Sequence, residues 1–226
     1  MPKTQDDARA VHADSINFTR DRAEVLAEFD VSRETAARLD RFVAVLLNWQ
    51  NKANLIGPST IPSLWRRHVG DSLQLLPLAP ARSRVWVDLG SGAGFPGLVI
   101  GCALAGLEGA RVHLIESNAK KAAFLREAVR ETGAPVIVHA ARIEDMELAA
   151  AADVITARAL APLDQLLRLA APMLTRGAQG LFMKGQDIDR ELTQATKHWN
   201  IDADIVPSRT STTGRILRVR GLAPRR

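Results

Sequence analysis

A glycine-rich turn between two acidic residues is the part of this sequence best suited to chemistry. The run from Asp88 to Gly94, D-L-G-S-G-A-G, joins a strand-like segment to a helix-like one. Glycines let a backbone turn sharply and approach a ligand closely, and the N-terminus of the following helix offers free amide hydrogens. Glu116 ends the next strand-like segment, 26 residues after Gly90, where a ribose-binding carboxylate belongs. The pattern predicts a site for a nucleotide-like cofactor.

Two cofactors fit this turn, and a third interpretation is a turn that binds no ligand. Gly92, Gly94 and Gly97 match the G-x-G-x-x-G fingerprint of dinucleotide-binding folds, which indicates a dehydrogenase. However, Asp88 stands two residues before the first glycine, the turn lies well inside the chain, and little chain follows for a separate substrate domain. We therefore expect S-adenosylmethionine rather than NAD, and a methyltransferase rather than a dehydrogenase.

The elements that position this turn alternate between strands and helices from Arg84 onward. Such alternation predicts an α/β fold with right-handed crossovers and a mostly parallel sheet covered on both faces. Ligands bind such sheets beyond the carboxyl ends of the strands. The predicted strands are residues 85–89, 111–116, 136–139, 153–156, 180–184, 204–206 and 215–219, and the predicted helices are residues 95–107, 118–132, 163–174 and 187–199.

The first 80 residues contain helical patterns and no strand-like segment, with a turn at residues 57–60. Ser32 is a good N-cap, and apolar residues then recur at helical spacing from Leu39 to Trp49. Further helices are predicted over residues 16–29 and 61–76, the latter ending near Pro77. We expect an all-helical extension over residues 1–80 and an S-adenosylmethionine-binding domain over residues 81–226.

Composition is that of an ordinary globular protein, with 46% hydrophobic and 24% charged residues. The single cysteine, Cys102, cannot form an internal disulfide, which fits a reducing cytoplasm. Residues 89–107 carry no charge but contain six glycines and a proline, so a buried strand–turn–helix is favoured over a membrane span. We expect a cytoplasmic monomer.

The charge distribution is compatible with a nucleic-acid partner. The net charge is +5, and residues 201–226 hold six Lys/Arg against two Asp/Glu. Arginine outnumbers lysine 24 to 6, and arginine binds phosphate through two parallel hydrogen bonds. Five arginines are candidates for binding an RNA backbone, and they are Arg66, Arg67, Arg215, Arg218 and Arg220. The alternative for each of them alone is a surface charge without a function.

Further motifs are more specific than the glycine turn. They are Arg67-His68-Val69-Gly70-Asp71-Ser72, the continuation Phe95-Pro96-Gly97, Arg142-Ile143-Glu144, Ala157-Arg158-Ala159 and Lys184-Gly185-Gln186. Together they make the chain resemble, over roughly residues 39–219, the bacterial small-subunit ribosomal RNA methyltransferases of the G type, also called the glucose-inhibited division protein B family. The family has a Trp-(Asn/Gln)-Lys run, and the corresponding run here is Trp49-Gln50-Asn51-Lys52. The lysine comes one position later than in the family, which leaves the role of Lys52 open.

The resemblance implies methylation of nitrogen-7 of the guanine at position 527 of 16S rRNA, with 16S rRNA or the small ribosomal subunit as partner and no metal. It also implies a Rossmann-like class I S-adenosylmethionine-dependent methyltransferase sheet of seven strands, mostly parallel, with the last strand antiparallel. The cofactor-binding residues expected from the turn and from the matching motifs are Asp88, Gly90, Gly92, Gly94, Phe95, Glu116, Ile143, Glu144 and Arg158.

The chemistry expected at this site is positioning rather than proton transfer. Guanine nitrogen-7 carries an in-plane lone pair, so its attack on a methyl sulfonium needs no general base, and orientation supplies the catalysis. We expect Arg158 and Lys184, which follow or end the fourth and fifth predicted strands, to be catalytic. His68 and Asp71 either line the target pocket or tie their helix to the sheet. Transfer to another RNA, a protein or a small molecule is the alternative function.

Overall fold

The computed structural model describes residues 5–146 and 152–225, which form a seven-stranded sheet covered by helices. The strands are β1 (Val85–Leu89), β2 (Arg111–Ile115), β3 (Val136–His139), β4 (Val154–Arg158), β5 (Gln179–Lys184), β6 (Trp199–Pro207) and β7 (Arg215–Pro224). They lie in the order β3-β2-β1-β4-β5-β7-β6. Strands β1 to β5 are parallel, and β7 is antiparallel to both β5 and β6. This confirms the mostly parallel sheet with an antiparallel last strand.

Helices cover both faces of the sheet through two hydrophobic clusters. One cluster joins the N-terminal helices to the β1–β3 side and contains Phe42, Leu98 and Phe124. The other contains Leu167 and Phe182 and lies beneath the helices that follow β4 and β5. The helices are α1 (Gln5–Glu28), α2 (Arg33–Ala53), α3 (Asp71–Leu73), α4 (Gly97–Leu104), α5 (Ala119–Thr132), α6 (Leu163–Leu174) and α7 (Ile188–Ala195).

Helix α2 forms as its sequence predicts, and it packs the N-terminal extension against the sheet domain. The Ser32 side chain accepts a hydrogen bond from Thr35 N, which satisfies a free amide at the helix start. The buried face of α2 includes Leu39 and Phe42, and the Phe42 ring lies 5.1 Å from that of Phe95 beside the glycine turn. The extension therefore contacts the predicted cofactor loop, and the boundary at residues 80 and 81 stays a prediction.

The prediction of one regular helix over residues 61–76 is wrong. The chain forms a 3-10 helix over Pro58–Ser63, a π-helical turn over Trp65–Gly70, the short α3, and a second 3-10 helix over Leu76–Leu78. Proline cannot donate a backbone hydrogen bond, and Pro62 and Pro77 lie in the two 3-10 segments. The π-turn, a form common at functional sites, carries Arg67 and His68.

Other predicted bounds also differ from the structure. Helix α1 begins at Gln5 rather than at residue 16, and α4 covers Gly97–Leu104 rather than residues 95–107. The predicted helix over residues 187–199 ends at Ala195, because the chain from Trp199 pairs in β6. Strands β6 and β7 extend beyond the predicted 204–206 and 215–219, since each lies antiparallel to its neighbour and keeps pairing as far as Trp199 and Pro224. A register shift between Asp202 and Ala203 marks a bulge in the long hairpin.

The uncharged stretch 89–107 is a strand end, a turn and a short helix, as predicted. Helix α4 spans only eight residues and buries Cys102 completely. Burial raises the pKa of the Cys102 thiol to about 12, so it is not a nucleophile at neutral pH. No helix in the described part of the chain is both long enough and apolar enough to cross a membrane.

Gly97 offers a test of the packing that positions the turn. A Cβ at this position would collide with the Leu114 side chain and lie 2.6 Å from Asp88 Cβ. Alanine at the start of a helix usually stabilises relative to glycine, but here we expect Gly97→Ala to lower the free energy of unfolding by about 1–3 kcal/mol because of overpacking. Gly106→Ala, where a Cβ would meet nothing within 4 Å, is the control. Equal urea midpoints for the two variants would contradict this packing.

Candidate active site

The glycine turn closes over the end of β2. Gly90, Gly92 and Gly94 have φ of 67°, 54° and 85°, a region that glycine adopts without steric cost. Ser91 N donates to Ile115 O at 3.0 Å, and Gly94 N donates to Ser91 O at 2.7 Å. The turn is thus fixed by its own backbone at the point between β1 and β4 where the strand order reverses, which is where ligands bind in such sheets.

Glu116 holds the turn from the side of the second strand. Its Oε2 accepts a hydrogen bond from Gly92 N at 2.8 Å, and its Oε1 accepts one from Asn118 N at 2.7 Å. The side chain is mostly buried, at 7% exposure. Because each carboxylate oxygen can accept more than one hydrogen bond, capacity is left on both oxygens for ligand hydroxyls.

Asp88 lies behind the turn. It is 1% exposed, its Oδ1 accepts from Thr156 Oγ1 at 2.7 Å, and its Oδ2 accepts from Gly97 N at 3.2 Å. Burial raises the pKa of Asp88 to about 6, against the opposing effect of these hydrogen bonds. The carboxylate therefore joins β1, β4 and the start of α4, and its predicted contact with the cofactor stays a prediction.

A cavity of about 330 Å³ opens in front of the turn. We call it the turn cavity. Residues 159–161, between β4 and α6, contribute to its wall. Five of the residues predicted to bind the cofactor line this cavity, and they are Gly90, Gly92, Glu116, Ile143 and Glu144.

The lining of the turn cavity suits S-adenosylmethionine. Glu116 offers acceptors for ribose hydroxyls, and Ile115 and Ile143 offer apolar surface for a planar base. A Cβ on Gly92 would meet only Gly90 O, at 3.8 Å, so a side chain there would occupy free space beside the cavity. The described residues contain no group of three or more His, Cys, Asp or Glu able to hold a metal ion.

Gly94 and Phe95 face the helical extension instead. A Cβ on Gly94 would lie 3.1 Å from the Phe42 ring, and Phe95 is 3% exposed. The Phe95 ring stacks on His68 with 5.0 Å between ring centroids, and the Arg158 guanidinium lies 5.2 Å from the Phe95 centroid. The structure thus brings Phe95, His68 and Arg158 together beside the turn, outside the lining of its cavity.

His68 is a hydrogen-bond acceptor for Arg158. Arg158 Nη1 lies 2.9 Å from His68 Nδ1, and a guanidinium can only donate, so His68 carries its proton on Nε2. His68 Nε2 then donates to Thr60 Oγ1 at 2.9 Å, and Thr60 Oγ1 donates to Gly57 O at 2.7 Å. Burial and the nearby positive charges lower the pKa of His68 to about 3, so the ring is neutral.

Asp71 ties the same segment to the loop between β6 and β7. Its Oδ1 accepts from Thr210 Oγ1 and from Gln74 Nε2, each at 2.6 Å, and its Oδ2 lies 4.0 Å from Arg158 Nη1. Gln74, 2% exposed, also accepts from Arg209 N at 2.8 Å. The sequence left two roles open for His68 and Asp71, which were lining the target pocket and tying their helix to the sheet. Both roles stay open, because the two residues hold the helical segment and also contact Arg158.

Lys184 ends β5 as predicted, but its amine is bound within the protein. Lys184 Nζ lies 2.6 Å from Glu191 Oε2 and donates to Ala161 O at 3.1 Å. Glu191 Oε2 also accepts from Leu163 N at 2.6 Å. These contacts fix the β4–α6 connection that forms part of the turn-cavity wall, so the structure gives Lys184 a positioning role, and its catalytic role stays a prediction.

Comparison with known proteins identifies the family. Residues 35–216 match the GidB family, described as rRNA small subunit methyltransferase G. The chain is 57% identical over 201 residues to ribosomal RNA small subunit methyltransferase G of Bradyrhizobium sp. strain BTAi1, which covers 88% of this chain and 90% of the relative. The chain belongs to the rRNA small subunit methyltransferase G family. It is accordingly an S-adenosylmethionine-dependent methyltransferase, as the sequence predicted.

Solved structures agree on the fold of this family member. A SAM-dependent methyltransferase from Aquifex aeolicus has a TM-score of 0.56 and 16% identity, covering 73% of this chain and 98% of that one. M. jannaschii TYW2 in complex with AdoMet has a TM-score of 0.53 and 14% identity, covering 70% and 76%. Both have the class I methyltransferase fold predicted from the sequence.

The five arginines proposed for RNA contact divide into two groups in this methyltransferase. Arg66 pairs with Glu28 at 2.8 Å, and Arg218 and Arg220 both pair with Asp204. Arg67 and Arg215 form no ion pair with any carboxylate of the described residues. The second group therefore has no counter-charge among the described residues.

Some functional residues of the site were not predicted from the sequence. Thr156 holds Asp88, and a lone hydroxyl within the apolar strand Val154–Arg158 was the available signal. Leu160 crowds Gly90, where a Cβ would lie 2.5 Å from its Cδ1. The hydrogen bonds of Gln74 join segments about 134 residues apart in sequence, and no local pattern marks them.

The burial of His68 predicts a pH dependence of stability. Since the pKa of His68 falls from 6.5 to about 3 on folding, the unfolded chain binds more protons between these values. Stability is therefore lost as pH falls below 6.5, by up to about 1.4 kcal/mol per pH unit for one proton. Asp88, whose pKa is raised to about 6, has the opposite effect: it makes the folded state more stable as the pH falls from 6 to 3.8. This effect of Asp88 does not depend on His68.

We expect His68→Gln to reduce this slope, because glutamine does not titrate while the contribution of Asp88 is unchanged. The measurement is the free energy of unfolding in urea at several pH values from 4.5 to 7. Wild-type and variant curves that run parallel across this range would show that His68 is not buried in neutral form.

Proposed function

We propose that this family member transfers the methyl group of S-adenosylmethionine to nitrogen-7 of the guanine at position 527 of 16S rRNA. The observation that carries the proposal is membership of the rRNA small subunit methyltransferase G family across residues 35–216. Its partner is 16S rRNA or the small ribosomal subunit, and the reaction takes place in the cytoplasm. We propose that the enzyme acts as a monomer and without a metal ion.

The polar groups at the carboxyl edge of the sheet favour a nucleophile that needs no base. His68 is neutral with its Nδ1 occupied by Arg158, and Lys184 is paired with Glu191. Guanine nitrogen-7 attacks with its own lone pair and loses no proton. The groups present can therefore position a base beside the methyl donor, and such positioning contributes up to about 7–11 kcal/mol in well-oriented systems.

The position of Cys102 argues against methylation at carbon-5 of cytosine. That reaction requires a thiolate that adds to the base. Cys102 is fully buried in α4 and the pKa of its thiol is raised to about 12. Attack by an atom of the base that already has a free lone pair is the chemistry that this site supports.

Five residues of the turn cavity would hold the cofactor. Glu116 would accept from ribose hydroxyls, the backbone at Gly90 and Gly92 allows close approach, and Ile143 and Glu144 line the same cavity. When bound, S-adenosylmethionine supplies an activated methyl group on a sulfonium. Arg158 and Phe95, packed on one another beside the turn, would fix the wall between the cofactor and the target base.

The direct test is methyl transfer from labelled S-adenosylmethionine to 30S particles and to free 16S rRNA prepared from cells that lack the gene. We expect one methyl group per 16S molecule, located by chemical cleavage at 7-methylguanosine. Label in protein or in small molecules, with none in ribosomal particles, would favour the alternative substrates. Cleavage at another nucleotide would overturn the assignment of the target.

A second test addresses the cofactor site alone. Glu116→Gln places an amide NH₂ against the donors Gly92 N or Asn118 N, so the turn loses one of its two hydrogen bonds. We expect the affinity for S-adenosylhomocysteine, measured by calorimetry, to fall about tenfold or more. Glu108→Gln, at an exposed loop residue, is the matched control. Equal affinities for both variants would remove Glu116 from the cofactor site.

A further inference from the structure

A second polar cavity, of about 290 Å³, lies between the π-helical turn and the loop joining β6 to β7. We call it the loop cavity. We propose that the loop cavity binds a backbone phosphate of the RNA strand that carries the target guanine, with Arg67 and Arg215 as its cationic contacts. This inference rests on the proposed function, because it takes RNA as the substrate.

The charge balance of the loop cavity calls for an anion. Four charged side chains line it, and they are Arg67, Asp71, Lys184 and Arg215. Lys184 is neutralised by Glu191 at 2.6 Å, and Asp71 lies 4.0 Å from Arg158. Arg67 and Arg215 have no carboxylate partner among residues 17–146 and 152–225. Two positive charges, those of Arg67 and Arg215, are thus left over.

The other lining groups are suited to phosphate oxygens. Hydroxyl side chains of the β6–β7 loop line the cavity, and they are Ser208, Thr210, Ser211 and Thr213. Thr210 Oγ1 already donates to Asp71, whereas the Ser211 and Thr213 hydroxyls share only a long contact of 3.4 Å and can turn toward a ligand. Arginine and hydroxyl side chains are among the groups that proteins use to bind the phosphates of nucleic-acid backbones. Arg215 Nη1 donates to Gly214 O at 2.8 Å and to Thr212 O at 3.1 Å. The loop therefore holds the Arg215 side chain beside its own hydroxyl groups.

The two arginines fit a phosphate better than the target base. The usual contact of arginine with guanine is a bidentate one to oxygen-6 and nitrogen-7. Such a contact would occupy the lone pair of nitrogen-7, which must attack the methyl group. S-adenosylmethionine itself carries no phosphate, and its predicted residues line the separate turn cavity.

The position of the loop cavity matches the path of a strand that enters the active site. Lys184 lines the loop cavity and donates to Ala161 O, while Ala161 lines the turn cavity. The two cavities are thus linked through the contact of Lys184 with Ala161, near the carboxyl ends of the neighbouring strands β4 and β5. A target nucleotide placed beside a cofactor in the turn cavity would have its adjoining backbone at the loop cavity.

The test compares Arg67→Gln with Arg66→Gln in the full-length protein. Both changes remove one charge from the π-helical turn, but Arg66 pairs with Glu28 on α1 and does not line the loop cavity. Binding to 16S rRNA is measured by filter retention between 50 and 300 mM salt. Binding of S-adenosylhomocysteine and the melting temperature are measured for each variant to verify that the cofactor site and fold are intact.

We expect Arg67→Gln to weaken RNA binding about tenfold. It should also reduce the slope of log affinity against log salt by about 0.7–0.9, the value for one lost phosphate contact. The double variant with Arg215→Gln should lose about twice that slope, and Arg66→Gln should match wild type. An unchanged slope for Arg67→Gln, or an equal effect of Arg66→Gln, would overturn the phosphate site.

The two hypotheses fail in different ways in this experiment. If wild-type protein methylates 16S rRNA and Arg67→Gln keeps its affinity and salt slope, only the phosphate site is wrong. If wild-type protein binds RNA with a slope that depends on Arg67 but transfers no methyl group to 16S rRNA, either free or in 30S particles, the proposed function is wrong and the phosphate site is supported.

Discussion

The Asp88 carboxylate is the interaction on which the geometry of the site depends. It is enclosed by the protein, and its two oxygens accept hydrogen bonds from Thr156 on β4 and from the backbone of Gly97 at the start of α4. An unpaired carboxylate at this depth would be costly. Because its partners belong to different elements, the carboxylate determines where the glycine turn ends and where α4 begins. The Glu116 carboxylate then fixes the other side of the same turn.

The helical extension takes part in this geometry through direct packing. Phe42 of α2 contacts Phe95, and His68 of the π-helical turn contacts both Phe95 and Arg158. The extension thus stabilises the residues beside the turn cavity as well as covering the sheet. Asp71 and Gln74 extend the same connection to the β6–β7 loop. Elements from both ends of the chain therefore meet at the carboxyl edge of the central strands.

Most of the central fold was predictable because its signals are local. The bounds of β3 and α6 match the predicted ones, since apolar runs and flanking breakers determine them. The segment 58–78 was not predictable, because its mixture of 3-10, π and α turns depends on contacts with α1 and the β6–β7 loop. In the site, the spacing of the glycines and of the acidic residue in the sequence was enough to predict that Gly90, Gly92 and Glu116 line the cofactor cavity. The inward direction of Asp88 and the bound state of Lys184 depend on partners distant in sequence.

Glycine is required at positions 90 and 92 of the turn for two different reasons, which are packing within the fold at position 90 and access of a ligand at position 92. Leu160 fills the space beside Gly90, so the fold itself excludes a side chain at that position whether or not a ligand is bound. Nothing but Gly90 O lies near a Cβ at position 92. Asparagine tolerates a positive φ, so the fold leaves room for its Cβ there. Among proteins of this architecture, loss of the glycine at position 92 with retention of that at position 90 would mark a chain that keeps the scaffold but has given up its cofactor.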